Sequence, residues 1–216
     1  MTTAGRAVKR IVDVLASGVA LVVLALPFAV VAFAIKLDSQ GPVFFRQERA
    51  GRDGRPFRVW KFRTMVVGAI RQGLGMTVAR DDARITHVGR FLRSLGLDEL
   101  PQFVNVLAGE MSLVGPRPTF LYHVGHYDAV QRKRLLAKPG ITSLAVVSGR
   151  NALSWDERIK LDVWYVEHSS FGLDLRILFA TLWVVLVTRR GVYAEDGTND
   201  LFAPPPEEEE RLDRGS

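Results

Sequence analysis

An uninterrupted apolar stretch near the N-terminus restricts what this chain can fold into more than any other feature. Residues 14–35 include no charged side chain, and a helix that crosses a bilayer needs roughly 20 apolar residues. Pro27 lies near the middle of the stretch, where a proline removes a backbone hydrogen bond and bends a helix. Cations lie on both sides, and Lys and Arg near membrane ends tend to stay in the cytoplasm. The pattern favours a re-entrant segment, with both ends on one side, over a simple span.

Two other interpretations of this stretch fit less well. A cleaved signal peptide has a shorter apolar run, of about 7–15 residues. A core helix of a soluble protein that is apolar on every side needs a large surrounding core, and the rest of the chain is rich in charge. Arg10 and Asp13 are three residues apart, so we expect them to pair on one helical face at headgroup depth.

Composition excludes several kinds of chemistry and indicates anionic partners. The chain has 216 residues and no cysteine, so it can have no disulfide, thiolate nucleophile or Cys-type zinc site. The net charge is +6, but residues 195–216 carry −6, which leaves +12 on the remainder. Such a basic body suits an anionic membrane surface, a phosphorylated substrate or nucleic acid. The PPPEEEE tract predicts a disordered tail.

The sequence after the apolar stretch predicts one hairpin and several helices. Residues 43–47 and 56–65 are β-rich and flank AGRDGR, which has the turn chemistry of a β-hairpin. Ser154 and Glu157 form a capping-box pattern. The last predicted helix has a short apolar core that suits either the headgroup layer or burial against other helices. Predicted helices cover residues 85–95, ending near Gly96, 119–138, 154–168 and 173–190.

Two neighbouring carboxylates stand in the tract GLDELPQFVNVL. Asp98 occupies a position where an N-cap is expected and Glu99 falls in the first helical turn, so ordinary capping explains both residues. The same position also keeps a carboxylate ionised close to donors that bind phosphate, which suits an aspartate nucleophile attacking phosphorus. Further along, MSLVGPRP holds Arg117 between two prolines, and a fixed guanidinium fork matches a phosphate. Arg117 could equally pair with a surface acid.

Five tracts in a fixed order resemble the bacterial sugar transferase family, the monotopic phosphoglycosyl transferases. They follow the basic-flanked apolar segment with Pro27 and cover roughly residues 7–190, as in the compact members that consist of the catalytic domain alone. The tracts are GPVFFRQERAGRDGRPFRVWKFRTM, RITHVGRFLRSLGLDELPQFVNVLAGEMSLVGPRP, KPGIT, GRNALSW and LDVWYV.

The resemblance implies the fold and the domain organisation. The fold would be α+β and mainly helical, with a re-entrant membrane helix, a small β-hairpin and amphipathic interfacial helices. The resemblance and the residue patterns together predict a membrane anchor at 1–40, a cytoplasmic phosphoglycosyl transferase domain at 41–192 and the acidic tail at 193–216. The protein would lie at the cytoplasmic face of the bacterial inner membrane.

The resemblance also implies an activity and a site. The enzyme would transfer a phosphosugar from a nucleotide diphosphate sugar, usually a UDP-sugar, to polyprenol phosphate with release of UMP, starting glycoconjugate or exopolysaccharide assembly. Asp98 would be the nucleophile that forms a covalent phosphosugar intermediate, and Glu99 its partner. Magnesium would bind at this dyad. The phosphate-handling residues would be Lys61, Arg63, Arg93 and Arg117.

The chain departs from the family pattern at two places. Members often have Gly-Trp-x-Gln-Val-x-Gly-Arg after KPGIT, whereas residues 143–150 read SLAVVSGR. This weakens any inference about nucleotide or sugar contacts there, and the sugar stays unidentified. Gly96 and Leu97 replace a commoner Ser-Leu before the dyad, which leaves the carboxylates in place.

Other functions remain open at this point. The basic body could belong to a membrane-tethered protein that binds anionic lipid or nucleic acid, or to an inactive scaffold, although the resemblance predicts no nucleic-acid partner. Exposed apolar helices could pair two copies into a homodimer. His123 and His126 are three residues apart, but zinc needs three or four ligands, so a surface helix is the favoured interpretation.

Overall fold

Helices dominate the computed structural model, which describes residues 1–69, 72, 82–149 and 152–184. The α+β expectation of a mainly helical chain with small sheets is confirmed. Its α-helices are α1 (Thr3–Val23), α2 (Ala25–Asp38), α3 (His87–Leu95), α4 (Phe103–Ala108), α5 (Leu121–His126), α6 (Leu144–Ser148), α7 (Trp155–His168) and α8 (Phe171–Trp183). Its strands are β1 (Phe44–Ala50), β2 (Pro56–Phe62), β3 (Ser112–Val114) and β4 (Gly140–Thr142). Short 3₁₀ segments cover Arg52–Gly54, Leu97–Gln102 and Gln131–Leu136.

The apolar stretch forms two helices with a sharp bend between them. α1 and α2 meet at Leu24 at an angle of 59°. Pro27 lies in the first turn of α2, where its ring would clash with the carbonyl of residue 23 in a straight helix, and this explains the position of the bend. Across the described ranges no helix is long and apolar enough to span a bilayer alone, whereas this bent pair has sufficient length and composition.

The first turns of α1 are attached to the rest of the molecule by polar contacts. Lys9 Nζ lies 2.6 Å from Asp174 Oδ2 on α8, and Arg10 donates to two carbonyl oxygens in the last turn of α4, Val106 O at 2.6 Å and Leu107 O at 3.0 Å. Asp13 is 4% exposed and accepts a hydrogen bond from the Leu113 amide of β3 at 3.0 Å. The expected pairing of Arg10 with Asp13 is therefore wrong, because each side chain binds the domain instead.

The predicted hairpin is confirmed. β1 and β2 pair antiparallel, with Phe44 opposite Phe62 and Ala50 opposite Pro56. The connecting 3₁₀ turn places Asp53 in the left-handed region at φ 59°, which Asp tolerates better than most residues. β1 extends further toward the turn than predicted, and β2 ends three residues earlier.

A second, parallel pair of strands was not predicted. β3 pairs with β4, and the backbones approach so closely at the strand ends that a Cβ on Gly140 would lie 2.1 Å from the Gly115 nitrogen. Behind this pair lies a core cluster formed with α7 and α8, whose buried members are Leu113, Val114, Tyr165 and Ile177. The opposite side of α8 is exposed at Phe179, Leu182 and Trp183.

Two of the predicted helices have different bounds. The helix expected over 119–138 is broken, because Tyr127 is extended at ψ 133° and Asp128 accepts bonds from the amides of Val130 and Gln131, which starts a new turn. The helix expected over 173–190 is α8, described only up to Val184; residues beyond it, including the acidic tail at 193–216, lie outside the described residues.

Two other predicted helix signals are confirmed. The capping box of Ser154 and Glu157 is present at the start of α7. α3 ends at Gly96 as expected.

Candidate active site

The two neighbouring carboxylates lie on a tight turn between two helices. Gly96 has φ 69°, a left-handed conformation that ends α3 and that glycine adopts without strain. The chain then enters the 3₁₀ segment Leu97–Gln102, with Asp98 and Glu99 in its first turn. The residue at the N-cap position is Gly96, and no side chain caps this segment. The N-cap interpretation is therefore wrong for Asp98, whereas Glu99 lies in the first turn as expected, where negative charge is favoured.

Glu99 is held by two cations. Arg117 donates from Nη2 to Oε1 at 2.7 Å and from Nη1 to Oε2 at 3.2 Å, which is a two-bonded fork. Lys61 Nζ donates to the same Oε1 at 2.8 Å. Burial opposes ionisation of this carboxyl, but the charges of Arg117 and Lys61 outweigh burial and hold the pKa of Glu99 well below its usual range. Glu99 is thus a fixed anion.

Asp98 has the opposite environment. Within the described parts of the chain its half-buried carboxyl makes no hydrogen bond and no ion pair. Burial, followed by repulsion from Glu99, raises the pKa of Asp98, while Lys61, Arg93 and Arg117 act in the opposite direction. An acid without a partner keeps its oxygen lone pairs available for another group. This is the property expected of a nucleophile.

Three of the predicted phosphate-handling cations surround the dyad. Lys61 comes from β2, Arg93 from α3 and Arg117 from the loop that follows β3, and all three act electrostatically on Asp98. Arg93 Nε donates to Thr64 Oγ1 at 2.8 Å, which fixes its direction. The Arg117 side chain is 43% exposed, so it can meet a ligand while it holds Glu99. Three cations against two carboxylates leave a positive site that suits a phosphate.

Arg63 lies elsewhere. Its buried guanidinium donates to the carbonyl oxygens of Ser39, at 2.9 Å, and Gln40, just after the end of α2. It is not among the groups with the largest effect on the pKa of Asp98. These contacts favour a role in attaching the bent helix pair to the hairpin, and substrate binding by Arg63 stays a prediction.

The sequence did not predict the buried groups that bind the backbone of Arg117. Arg134, 3% exposed, donates from Nη2 to the Arg117 carbonyl oxygen at 3.0 Å and pairs with the buried carboxylate of Asp162 on α7. The other terminal nitrogen of Arg134, Nη1, donates to the hydroxyl of Tyr127. No local motif marks Arg134, since it is one of three cations in QRKRLL.

The histidine pair is only partly on the surface. His123 is fully buried and shares a hydrogen bond of 3.0 Å with Thr119 Oγ1, so the surface interpretation is wrong for this residue. His126 is exposed as expected and donates to the Tyr122 carbonyl. Among the residues described by the structure, no group of three His, Asp or Glu side chains could hold a metal.

The dyad nevertheless fits one type of metal site. Mg²⁺ is commonly bound by one or two carboxylates, with substrate phosphates and water completing its shell. Asp98 has unengaged oxygens, whereas both oxygens of Glu99 already accept hydrogen bonds. The donor set therefore fits a magnesium ion bound mainly by Asp98, with Glu99 as its neighbour.

The tract that departs from the family pattern, residues 143–150, contains α6. Ser143, 1% exposed, caps this helix by accepting a hydrogen bond from the Val146 amide at 3.1 Å. Arg150 and Asn151 lie outside the described residues. Among residues 143–149, none makes a described hydrogen bond or ion pair with Asp98 or Glu99.

Comparison with known proteins gives a consistent result. The family model described as bacterial sugar transferase matches residues 4–188. The chain is similar to the uncharacterized sugar transferase EpsL of Bacillus subtilis, with 44% identity over 183 residues, 83% of this chain and 88% of that protein. It is also similar to the UDP-glucose:undecaprenyl-phosphate glucose-1-phosphate transferase of Klebsiella pneumoniae, with 42% identity over 81% of this chain. The undecaprenyl-phosphate galactose phosphotransferase of Salmonella typhimurium is 39% identical over 87% of this chain. The matched regions make up only 39% and 42% of the Klebsiella and Salmonella proteins.

Proposed function

This chain belongs to the bacterial sugar transferase family and is an enzyme, and we propose that it is a phosphoglycosyl transferase that moves a phosphosugar from a UDP-sugar to polyprenol phosphate. The names of the Klebsiella and Salmonella relatives support the donor and acceptor classes. One relative is named for glucose and the other for galactose, so the sugar transferred here needs its own measurement.

The contrast between the two carboxylates carries this proposal. Glu99 is bound by Lys61 and Arg117, whereas Asp98 beside it has no partner among the described residues. We propose that Glu99 orients Lys61 and Arg117, and that Asp98 is the nucleophile that attacks phosphorus. Because both cations are bound to a fixed anion, they need little reorganisation when a diphosphate arrives.

The proposed reaction has two displacements. An Asp98 carboxylate oxygen attacks the phosphorus that carries the sugar, the bond from this phosphorus to the bridging diphosphate oxygen breaks, and UMP leaves. A phosphate oxygen of the polyprenol phosphate then attacks the same phosphorus, the bond to Asp98 breaks, and the carboxylate is restored. The covalent intermediate allows the soluble donor product to leave before the lipid reacts.

The cations and the metal would reduce repulsion between anions. Attack by a carboxylate on a diphosphate brings like charges together, and Lys61, Arg93 and Arg117 lie where they offset this repulsion. Mg²⁺, held mainly by Asp98 with Glu99 beside it, would supply further screening of the phosphate charge. Arg117 contributes a planar fork that matches phosphate oxygens.

Membrane placement forms the second part of the proposal. The bent pair α1–α2 would enter the cytoplasmic leaflet of the inner membrane and turn back at Leu24. Apolar side chains near the bend are strongly exposed, with Val22 at 78% and Leu26 at 75%, and lipid would cover them. The contacts of Lys9, Arg10 and Asp13 would then hold the dyad close to the headgroups, where the acceptor phosphate lies.

The test uses purified full-length protein in lipid nanodiscs with undecaprenyl phosphate. Wild type should release UMP from one or more UDP-sugars, and without the acceptor the peptide that contains Asp98 should gain the mass of one phosphosugar. Asp98→Asn should lose at least about a thousandfold in rate, as expected when a nucleophile is removed, and should give no adduct. Asp156→Asn, an exposed acid on α7, should match wild type.

Several results would contradict the proposal. An unchanged rate in Asp98→Asn would remove the nucleophile assignment. Salt-sensitive nucleic-acid binding without UMP release from any UDP-sugar would favour the basic binding protein instead.

For the metal, we expect that chelation abolishes UMP release and that added Mg²⁺ restores it.

A further inference from the structure

The edge of β2 that faces away from β1 is bound by the side chain of Asn105. Asn105 of α4 is fully buried, and its Oδ1 accepts a hydrogen bond from the Trp60 amide at 2.9 Å. Its Nδ2 donates to the Arg58 carbonyl oxygen at 2.8 Å. A carboxamide that accepts from one residue and donates to the residue two positions earlier takes the place of a neighbouring strand's peptide group.

The same carboxamide is held on its other side. The second proton of Nδ2 is donated to Glu110 Oε2 at 2.7 Å, and the Asn105 carbonyl accepts bonds from the amides of Glu110 and Met111. Each polar atom of the Asn105 side chain therefore has a partner. An aspartate of equal size would lack both donated hydrogen bonds and would place a charge against a carbonyl oxygen and a carboxylate.

These bonds are one of two polar connections between β2 and the segment that carries the dyad. Lys61 follows Trp60 in β2 and reaches Glu99 with Nζ at 2.8 Å. Glu99 lies six residues before Asn105 in the continuous run formed by the 3₁₀ segment and α4. β2 and this run are thus joined by two sets of polar contacts, one through Lys61 and one through Asn105.

We propose that Asn105 is a positioning residue that fixes β2 along its own axis and so holds Lys61 against Glu99. The apolar cluster of Phe57, Val59, Val106 and Met111 also joins β2 to α4, but apolar contact is non-directional and tolerates small slides. The two hydrogen bonds to β2 are directional and fix its register. This assignment rests on the proposed function for its catalytic meaning, and on geometry alone for the placement of Lys61.

Two measurements test the placement without any activity. In Asn105→Asp, repulsion between the new charge and both the Arg58 carbonyl oxygen and Glu110 should move the acceptor away from the Trp60 amide, which should then exchange with solvent at least roughly tenfold faster. Lys61 should be acylated faster by a water-soluble amine-reactive reagent. Lys133, which pairs with Glu167 on the surface, should label at the wild-type rate. Leu113→Ala, which removes core contacts away from β2, should leave the Trp60 and Lys61 rates unchanged.

A double-mutant cycle tests the catalytic part. Asn105→Asp should lower kcat/KM about tenfold in wild type, but less than about twofold in a Lys61→Met background, because groups that act through one contact are not additive. If Asn105→Asp does not fold, Glu110→Ala, which removes only the exposed support, should change the same readouts in the same direction by a smaller amount.

Additive losses, or wild-type exchange and labelling rates in Asn105→Asp, would overturn the assignment. Absence of UMP release in wild type would instead contradict the proposed function. In that case the exchange and labelling rates would still decide whether Asn105 positions Lys61.

Discussion

At the scale of single residues, Asp98 and Glu99 show how two adjacent acids acquire different properties. Glu99 is 19% exposed in its side chain and bound by both Lys61 and the Arg117 fork. The pKa of Asp98 is raised by burial and by the charge of Glu99. Such a separation of two titratable groups by their surroundings is typical of sites in which one acid supports and the other reacts.

The Arg117 fork should not be replaceable by a single charge. Arg117→Lys keeps the cation but loses the two-bonded contact with Glu99, so kcat/KM for UMP release should fall roughly ten- to a hundredfold while the protein stays folded. Arg90→Lys, an exposed position on α3, is the matched control and should have wild-type kinetics. Equal activity of the two variants would show that charge alone suffices at position 117.

The buried His123 should make the fold sensitive to acid. Burial, and then the charges of Arg49, Arg134 and His126, lower the pKa of His123 to about 4, from 6.5 in an unfolded chain. Because the unfolded state takes up the proton first, the stability contributed by neutral His123 is complete above about pH 6.5 and is lost as the pH falls toward 4.

Thermal midpoints in detergent, measured across this pH range, provide the readout. His123→Gln should show a shallower decline than wild type, although its midpoint at neutral pH is lower. His126→Gln should decline as steeply as wild type. A wild-type slope in His123→Gln would assign the acid sensitivity to other groups.

At the scale of elements, the site depends on how closely α3 approaches the segment after β2. Gly89 of α3 lies against the backbone of Thr64, and the Thr86 amide donates to the Thr64 carbonyl at 3.1 Å. Thr64 is also the residue that directs Arg93. The contact that packs the helix therefore also positions one of the three cations.

Adding one methyl group should disturb this packing. A Cβ on Gly89 would lie 2.1 Å from the Thr64 carbonyl oxygen, so Gly89→Ala must displace α3 and Arg93 with it. We expect a loss of about 1–3 kcal/mol in stability, seen as a lower thermal midpoint, together with slower UMP release. Gly125→Ala on α5, where nothing lies within 4 Å of the added atom, should be neutral.

The elements that sequence could predict are those with local signals. Gly96 ends α3, Ser154 and Glu157 begin α7, and the hairpin turn lies in AGRDGR, because each signal acts over a few neighbouring residues. The pairing of β3 with β4 depends on residues 28 positions apart, such as Ser112 and Gly140, and has no local mark. The same holds for the site: the resemblance indicated Lys61, Arg93 and Arg117, but Arg134 and Asn105 act through contacts that no short motif encodes.

At the scale of the whole molecule, the bent helix pair determines how the enzyme would meet its membrane. α1 and α2 diverge by 59° at Leu24, and their side chains near the bend are among the most exposed apolar groups of the described chain. Both outer ends of the pair contact the domain, through Lys9 and Asp13 in α1 and through the carbonyls after α2 that bind Arg63. Such an arrangement suits a loop that enters and leaves one leaflet.

Site-directed labelling tests this topology, and the absence of native cysteine makes it direct. In sealed inverted vesicles, whose cytoplasmic face is outside, Thr3→Cys and Gln40→Cys should both react with a maleimide that cannot cross the membrane. Leu26→Cys at the bend should be protected until detergent is added. Reaction of Thr3→Cys and Gln40→Cys from opposite sides would establish a true crossing.

Because α1 is attached to β3, α4 and α8, its length sets the distance between the catalytic domain and the bend at Leu24. Since Asp13 is fastened to the Leu113 amide, every residue between it and Leu24 adds about 1.5 Å of reach and 100° of rotation beyond the catalytic body. One added residue would turn the bend by about 100° with an advance of only about 1.5 Å, whereas four would advance it about 6 Å and leave it about 40° from its original direction. In the proposed membrane placement, the number of residues between Asp13 and Leu24 would set how deeply the bend enters the lipid and which direction the bend faces.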